Sequence, residues 1–294
     1  SPWLARRVGD SALQEIVRKV MLTYWNTVAF HALYARANDW SPSGRAPALA
    51  ERHIVDRWLI AKVNQLIVDV TKHFENFDTQ RAGSELQQFI DDLSNWYVRR
   101  SRRRFWDGEE SALWTLHEVL NVLTRLMSPM APFITERVWQ DLYVSSGNAG
   151  VPSSMDNSSD VPQSVHLTAW PVADESAIRP KLLAAMSTVR RLVELGRSAR
   201  SEAKLKTRQP LERALVPSQA LSQLSDELIE QIKDELNVLK VESFSDAGDL
   251  VDYSAKANYR SLGARFAKKT PLVAKAIAEM DAAELAQALA EFGK

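Results

Sequence analysis

The chain contains no cysteine. That absence closes off disulfide staples, thiolate nucleophiles and every zinc site built on cysteine, and it suits a reducing, intracellular home. Net charge is missing too: Lys+Arg and Asp+Glu number 37 each. Overall charge therefore attracts no nucleic acid, acidic substrate or membrane, and a polyanion could be held only where charge is locally segregated. No run of about 18 apolar residues exists to span a bilayer, and the first residues lack the basic-then-apolar pattern of a secretion signal. Glycine-rich phosphate loops are absent: "GRSARSEAK", from Gly196 to Lys204, has neither a second glycine nor a Gly-Lys-Ser/Thr ending. The five histidines, His31, His53, His73, His117 and His166, fall one per element without metal-ligand spacing. No catalytic residue, no metal site and no cofactor are expected in this chain.

What remains is a globular composition, 45% hydrophobic and 25% charged over 294 residues, enough for one large or two ordinary domains. Apolar residues recur at Leu13, Ile16, Val17, Val20, Tyr24, Val28 and Ala35, the spacing of one helical face. Ser11 and Gln14 have the form of a capping box. A second helix is expected from about Ala48, through Val55, Leu59, Val63, Leu66, Val70 and Phe74. A third starts at Asp78 as N-cap, runs through Leu86, Phe89, Ile90, Leu93, Trp96 and Tyr97, and ends near Phe105, with Gly108 suited to its C-terminus. A fourth carries Leu113, Leu116, Leu120, Leu123 and Met127 up to "SPMAPF", and the helical pattern resumes over Thr135 to Tyr143. Amphipathic helices on short connections pack as an antiparallel bundle.

The polar stretch 145–164 reads as a flexible loop or linker, and "VHLTAWP" as a short strand or a tether that docks. A long helix is expected from about Asp174 to Ala203. "QPLERALVP" and "VLKVESF" alternate like strands around a helical "LSDELIEQIKDEL", and two helical pieces follow, Tyr259 to Ala267 and Leu272 to Phe292. The expected fold is thus mainly α: a helix bundle over 1–144, a linker over 145–164, and a smaller α+β region over 165–294.

The neutral total conceals three basic segments: Arg99 to Arg104, Lys181 to Arg213 and Lys256 to Lys275. A charge run is ordinarily a solvated face, but segregation of this kind is what phosphate binding requires. Aromatics in or beside these segments, Trp96, Trp106 and Tyr259, offer surfaces on which unstacked bases could lie, although Trp96 falls on the apolar line of the third helix. The candidate RNA-contacting residues are Arg99, Arg100, Arg102, Arg103, Arg104, Lys204, Lys206, Arg208, Tyr259, Arg260, Arg265, Lys268 and Lys269. At about 100° per residue the five consecutive-segment arginines cover most of a helix circumference, so they cannot all face one RNA. Some should instead cap the helix or pair with Asp107, Glu109 and Glu110.

Several stretches in order, "EIVRKVMLTYWNTVAFHALYA", "DLSNWYVRRSRRRFWDGE", "LMSPMAPFITERVW", "VHLTAWP" and "VRRLVELGRSARSEAKLKTRQPLERALV", resemble the C-terminal portion of isoleucyl-tRNA synthetase. "SPMAPFITE" is shared in kind with the valyl and leucyl enzymes, whereas "NWYVRRSRRRFW" and "KTRQPL" are more discriminating and point to the subgroup similar to eukaryotic cytosolic forms. The resemblance implies a class I anticodon-binding bundle followed by an RNA-contacting region, with isoleucine tRNA as partner. The "HIGH" and "KMSKS" signatures of the ATP site and the editing domain do not occur here. The full-length enzyme would use ATP and Mg to ligate isoleucine to its tRNA. "SPWLARRVG", without an initiating Met, reads as the start of an excised fragment, one expected to be catalytically inactive, monomeric, cytoplasmic and not membrane-bound. The missing zinc cysteines fit either that subgroup or a chain cut before its last module. Two alternatives remain: the equivalent part of a valyl- or leucyl-tRNA synthetase, and a helical protein-interaction module with no RNA role.

Overall fold

The structure, a computed structural model, describes residues 9–145, 161–244, 266 and 269–279. The chain forms two compact units, Ser1–Ser187 and Thr188–Lys294, and the division falls inside a long helix.

The first unit is built on four long helices. Helix α1 covers residues 10–37, as Asp10–Ile16, a π-helical segment Val17–Met21, and Leu22–Ala37. Its N-cap is Gly9 without a side-chain cap, so Ser11 lies inside the helix and the expected capping box does not form. Helix α2 is Ile54–Glu75, starting later than the periodicity suggests, because Leu49–Glu51 form a separate 3-10 turn and the His53 ring accepts the Val55 N–H as cap. Helix α3 covers residues 79–106, as Thr79–Asp91, a π-helical Asp92–Val98, and Arg99–Trp106. Asp78 caps it, accepting from the Arg81 N–H at 3.1 Å. Helix α4 is Glu110–Met127. Helix α5, residues 132–144, opens with Pro132 in its first turn and closes in a π-helical Gln140–Val144.

The pairings fix the directions. Tyr24 and His31 of α1 bond Thr124 and His117 of α4 in reverse order, so α1 and α4 are antiparallel. Asp56 and Lys62 of α2 bond Arg104 and Asp92 of α3 in reverse order, which makes that pair antiparallel as well. Between them lie Trp58, Leu59, Val63, Phe89, Leu93, Leu116 and Leu120, all buried. Each such side chain stabilises the unit by roughly 1.5–3 kcal/mol.

The expected linker lies mostly outside the described residues, and from residue 161 the chain is a docked tether. Trp139 donates its indole N–H to Pro162 O, Arg125 donates to Ala169 O, and Trp170 donates to Thr71 Oγ1. Val165 packs into the Trp139–Tyr143 cluster. Helix α6, Pro180–Glu202, then crosses the boundary between the units.

In the second unit, β1 (Leu211–Pro217) pairs in parallel with β2 (Val238–Phe244), in register from Leu211 opposite Val238 to Pro217 opposite Phe244. Parallel neighbours need a crossover. It is supplied by a short α7 (Ser218–Leu221) and α8 (Asp226–Leu236), whose Leu228, Ile232 and Leu236 are buried. Helix α9 is Thr270–Glu279. The described elements are thus mainly helical with a small α/β part, as expected. Most of the expected piece at Tyr259 to Ala267 lies outside the described residues, as does the end of the piece from Leu272 to Phe292.

Candidate nucleic-acid interface

At the end of α3, helical geometry sorts the arginine row. Tyr97, Ser101 and Phe105 point into the bundle and are buried. On that inner side Arg104 is only 15% exposed and forks onto the fully buried Asp56, which also accepts from the Tyr97 hydroxyl at 2.7 Å. Burial first, then the adjacent Asp56 carboxylate, hold the Tyr97 hydroxyl far above its ordinary range, so it remains a donor. A second carboxylate, Glu109, bonds Arg104 at 2.7 Å and is held below its usual range by that contact. Arg104 therefore has no guanidinium edge to give a phosphate. Among the candidate RNA contacts Arg104 is thus the one placed as a part-buried strut between α2, α3 and the start of α4.

The outward positions differ. Arg102 and Arg103 are exposed, and the Arg103 pair with Asp107 at 3.7 Å is loose and solvated. Arg99 and Arg100 are half-buried over the Trp96 ring, at 5.9 and 5.7 Å from its centroid. Trp96 itself is buried in the bundle and is not a platform for a base. Trp106, one turn beyond Arg102 and Arg103, is 74% exposed.

A built terminus holds this group in place. Gly108 has φ +69°, Gly108 N–H bonds Phe105 O, and Glu109 N–H bonds Arg104 O at 2.9 Å, closing the helix with a left-handed glycine. Asn38, at the end of α1, donates from Nδ2 to Phe105 O at 3.1 Å, so the last turn is pinned from outside. Cations on such a turn also sit favourably beside the negative end of the helix dipole.

The second basic segment is sorted in the same way. Arg197 pairs with Glu235. Arg200 is buried and donates to four carbonyls, Lys206 O at 3.1 Å, Gln209 O at 3.0 Å, Leu236 O at 2.6 Å and Asn237 O at 3.2 Å. Asn237, left-handed at φ +50°, adds a bond from its Nδ2 to Arg208 O. The loop is thereby shaped by its backbone, while Lys204, Lys206 and Arg208 project into solvent without an ion pair among the described residues. Lys269 is exposed just ahead of α9; Tyr259, Arg260, Arg265 and Lys268 lie outside the described residues.

One association has no sign in the sequence. His31 and His117 meet in the bundle, Nε2 to Nδ1 at 3.3 Å, beside Trp40. Burial pushes His117 down to about 4; burial and then its neighbour hold His31 well below the ordinary range. Nothing in their spacing signals the contact, because it depends on how α1 lies against α4. Among the described residues no group of three or more potential metal ligands occurs.

The family model described as the anticodon-binding domain of tRNA ligase matches residues 56–215, a span that holds both the α3 terminus and the Arg200-braced loop. The chain belongs to that family. Along 99% of its length this anticodon-binding chain is 54% identical to the isoleucine–tRNA ligase of Cutibacterium acnes, covering 28% of that protein. It is 56% identical to the isoleucine–tRNA ligases of Streptomyces coelicolor and Streptomyces avermitilis, each over 99% of the chain and 27% of the relative. The anticodon-binding chain thus spans about a quarter of the length of these relatives. No helix among its described residues is long and apolar enough to cross a membrane.

Proposed function

We propose that this chain is the tRNA-holding part of an isoleucine–tRNA ligase, that its partner is isoleucine tRNA, and that it works as a monomer in the cytoplasm. The observation that carries the reading is the exposed trio of Arg102, Arg103 and Trp106 on a helix end clamped by Asn38 and Gly108. Guanidinium groups hold phosphates and set register, and a rigid exposed indole stacks an unpaired base at low entropic cost. Lys204, Lys206 and Arg208 add backbone contacts from the second unit. ATP and Mg serve the ligation step in the rest of the whole protein, and the residues described here take no part in that chemistry.

The test is binding of this chain to isoleucine tRNA and to a mismatched tRNA at two salt concentrations. Affinity is expected to fall steeply with salt and to favour isoleucine tRNA. Replacing Lys204, Lys206 and Arg208 with alanine should flatten the salt slope by up to about 1 unit per lost contact. Salt-indifferent binding, equal for both tRNAs, would sink the reading and leave a protein-interaction module in its place.

A further inference from the structure

A groove of about 480 Å³ opens between α1 and α3, away from the Trp106 terminus. Every side chain lining it is polar. Arg18, Lys19 and Thr23 form one wall, and Gln87, Gln88, Asp91 and Asn95 form the other. The amides and carboxylate of this lining present both donors and acceptors at close spacing.

Two features mark the groove as more than a gap between helices. Both walls carry π-helical turns: Arg18 and Lys19 lie in Val17–Met21, and Asn95 lies in Asp92–Val98. A π turn inserts a residue and re-aims the side chains around it, and such turns concentrate at functional sites. The polar groups are also set in place by their neighbours. Lys19 is held by Glu15 at 2.6 Å, Asn95 donates to Asp91 at 2.6 Å, and Gln88 donates to Asp92 at 3.1 Å. These bonds leave the second Asp91 oxygen and the amide oxygens of Asn95 and Gln88 as acceptors. Gln87 and the Arg18 guanidinium have no hydrogen bond or ion pair among the described residues. Arg99, the first residue of the basic stripe, follows Asn95 by one turn and donates from Nε to Asn95 O at 2.9 Å.

We infer that this groove takes one unstacked base of the bound RNA, a reading that rests on the tRNA partner proposed above. Gln87, Asn95 and Asp91 meet the hydrogen-bonding edge of the base, and Arg18 holds the adjoining phosphate. Planar amides read base edges in pairs of hydrogen bonds, and unpaired loop nucleotides are the ones that can be splayed into a pocket. Arg18 and Lys19 lie outside the residues matched by the family model, so this wall belongs to the chain beyond that domain match.

The experiment uses this chain, intact isoleucine tRNA, and a set of anticodon stem–loops in which each loop nucleotide in turn is made abasic. For the unaltered chain, removing one particular base should weaken binding about tenfold. In the Gln87→Ala/Asn95→Ala variant that same removal should cost nothing further, while removals elsewhere cost what they cost the unaltered chain. Arg18→Ala should weaken all the RNAs alike and reduce the salt slope by about 0.7. All three substituted residues are exposed, so unchanged thermal melts confirm folded variants. If no loop base shows this coupling, or the double variant binds every RNA as the unaltered chain does, the groove is not a base site. If the unaltered chain binds no tRNA, the parent reading fails and takes the groove with it. Weakened binding on Arg102→Ala or Trp106→Ala, with groove variants unaffected, overturns the groove alone.

Discussion

Arg102 and Arg104 stand two positions apart, and the helix turns one toward water and the other onto Asp56. Their substitutions should differ accordingly. Asp56→Asn leaves Glu109 as the only counter-charge of the part-buried Arg104 guanidinium and should cost about 1–3 kcal/mol, read as a lower urea midpoint. Arg102→Ala should stay within about 0.5 kcal/mol in stability while weakening tRNA binding. At about 100° per residue some arginines of the row must serve the fold, but only the packing of α2 against α3 identifies which. The histidine pair adds a pH dependence of definite sign. His117 falls from 6.5 to about 4 in the folded chain, and His31 falls as well. Between those values the unfolded chain takes up protons that the folded chain refuses. Stability is therefore full above about pH 6.5 and declines as pH falls, by up to about 1.4 kcal/mol per pH unit for each histidine. Urea midpoints at pH 7 and pH 5 should show the loss, and His117→Gln should make it smaller.

Helix α3 shows how much of an element can be read in advance. Its cap at Asp78, its buried line through Trp96 and Tyr97, and its end at a glycine follow from residue chemistry within a few positions along the chain, and all three are present. Helix α1 was legible as a helix but not in its burial. Leu13, Ile16 and Val17 share the periodic face with Tyr24 and Val28, yet the first three are about half exposed and the other two buried. Periodicity records that a face is apolar without saying what covers it. The π turns were invisible for a related reason: nothing local distinguishes Val17–Met21 or Asp92–Val98 from ordinary helix, so the groove between them could not be foreseen. At the end of α3, Gly108→Ala should be costly twice over, through its positive φ and because the new Cβ would lie 2.5 Å from Asn38 Oδ1. A loss of about 1–2 kcal/mol is expected. Adding Asn38→Ala should recover the steric part and not the backbone part, a difference that a double-mutant cycle in urea reads directly.

For the whole molecule, the division between Ser187 and Thr188 makes a two-probe experiment possible, because all nine tryptophans lie at or before Trp170. Indole fluorescence follows the first unit alone, while circular dichroism follows both. Arg200→Ala removes four hydrogen bonds to carbonyls of the second unit, of which Lys206 O and Asn237 O keep a backbone N–H partner, and should cost it about 2–4 kcal/mol. The dichroism transition should split or move to lower urea, with the fluorescence transition left in place. A matching shift in fluorescence would mean that the units unfold together. The basic loop could be found from composition, whereas its rigidity could not, because the residue that supplies it sits in the same run of positive charge. Arg200 grips Lys206, Gln209, Leu236 and Asn237 only through oxygens that any amino acid would present. The conformation of that loop is thus insulated from its own lettering. Except at Lys204, whose φ of +56° restricts the choice, its outward side chains can be rewritten, one by one or as a library, to retune what the loop touches while the curve that displays them stays the same.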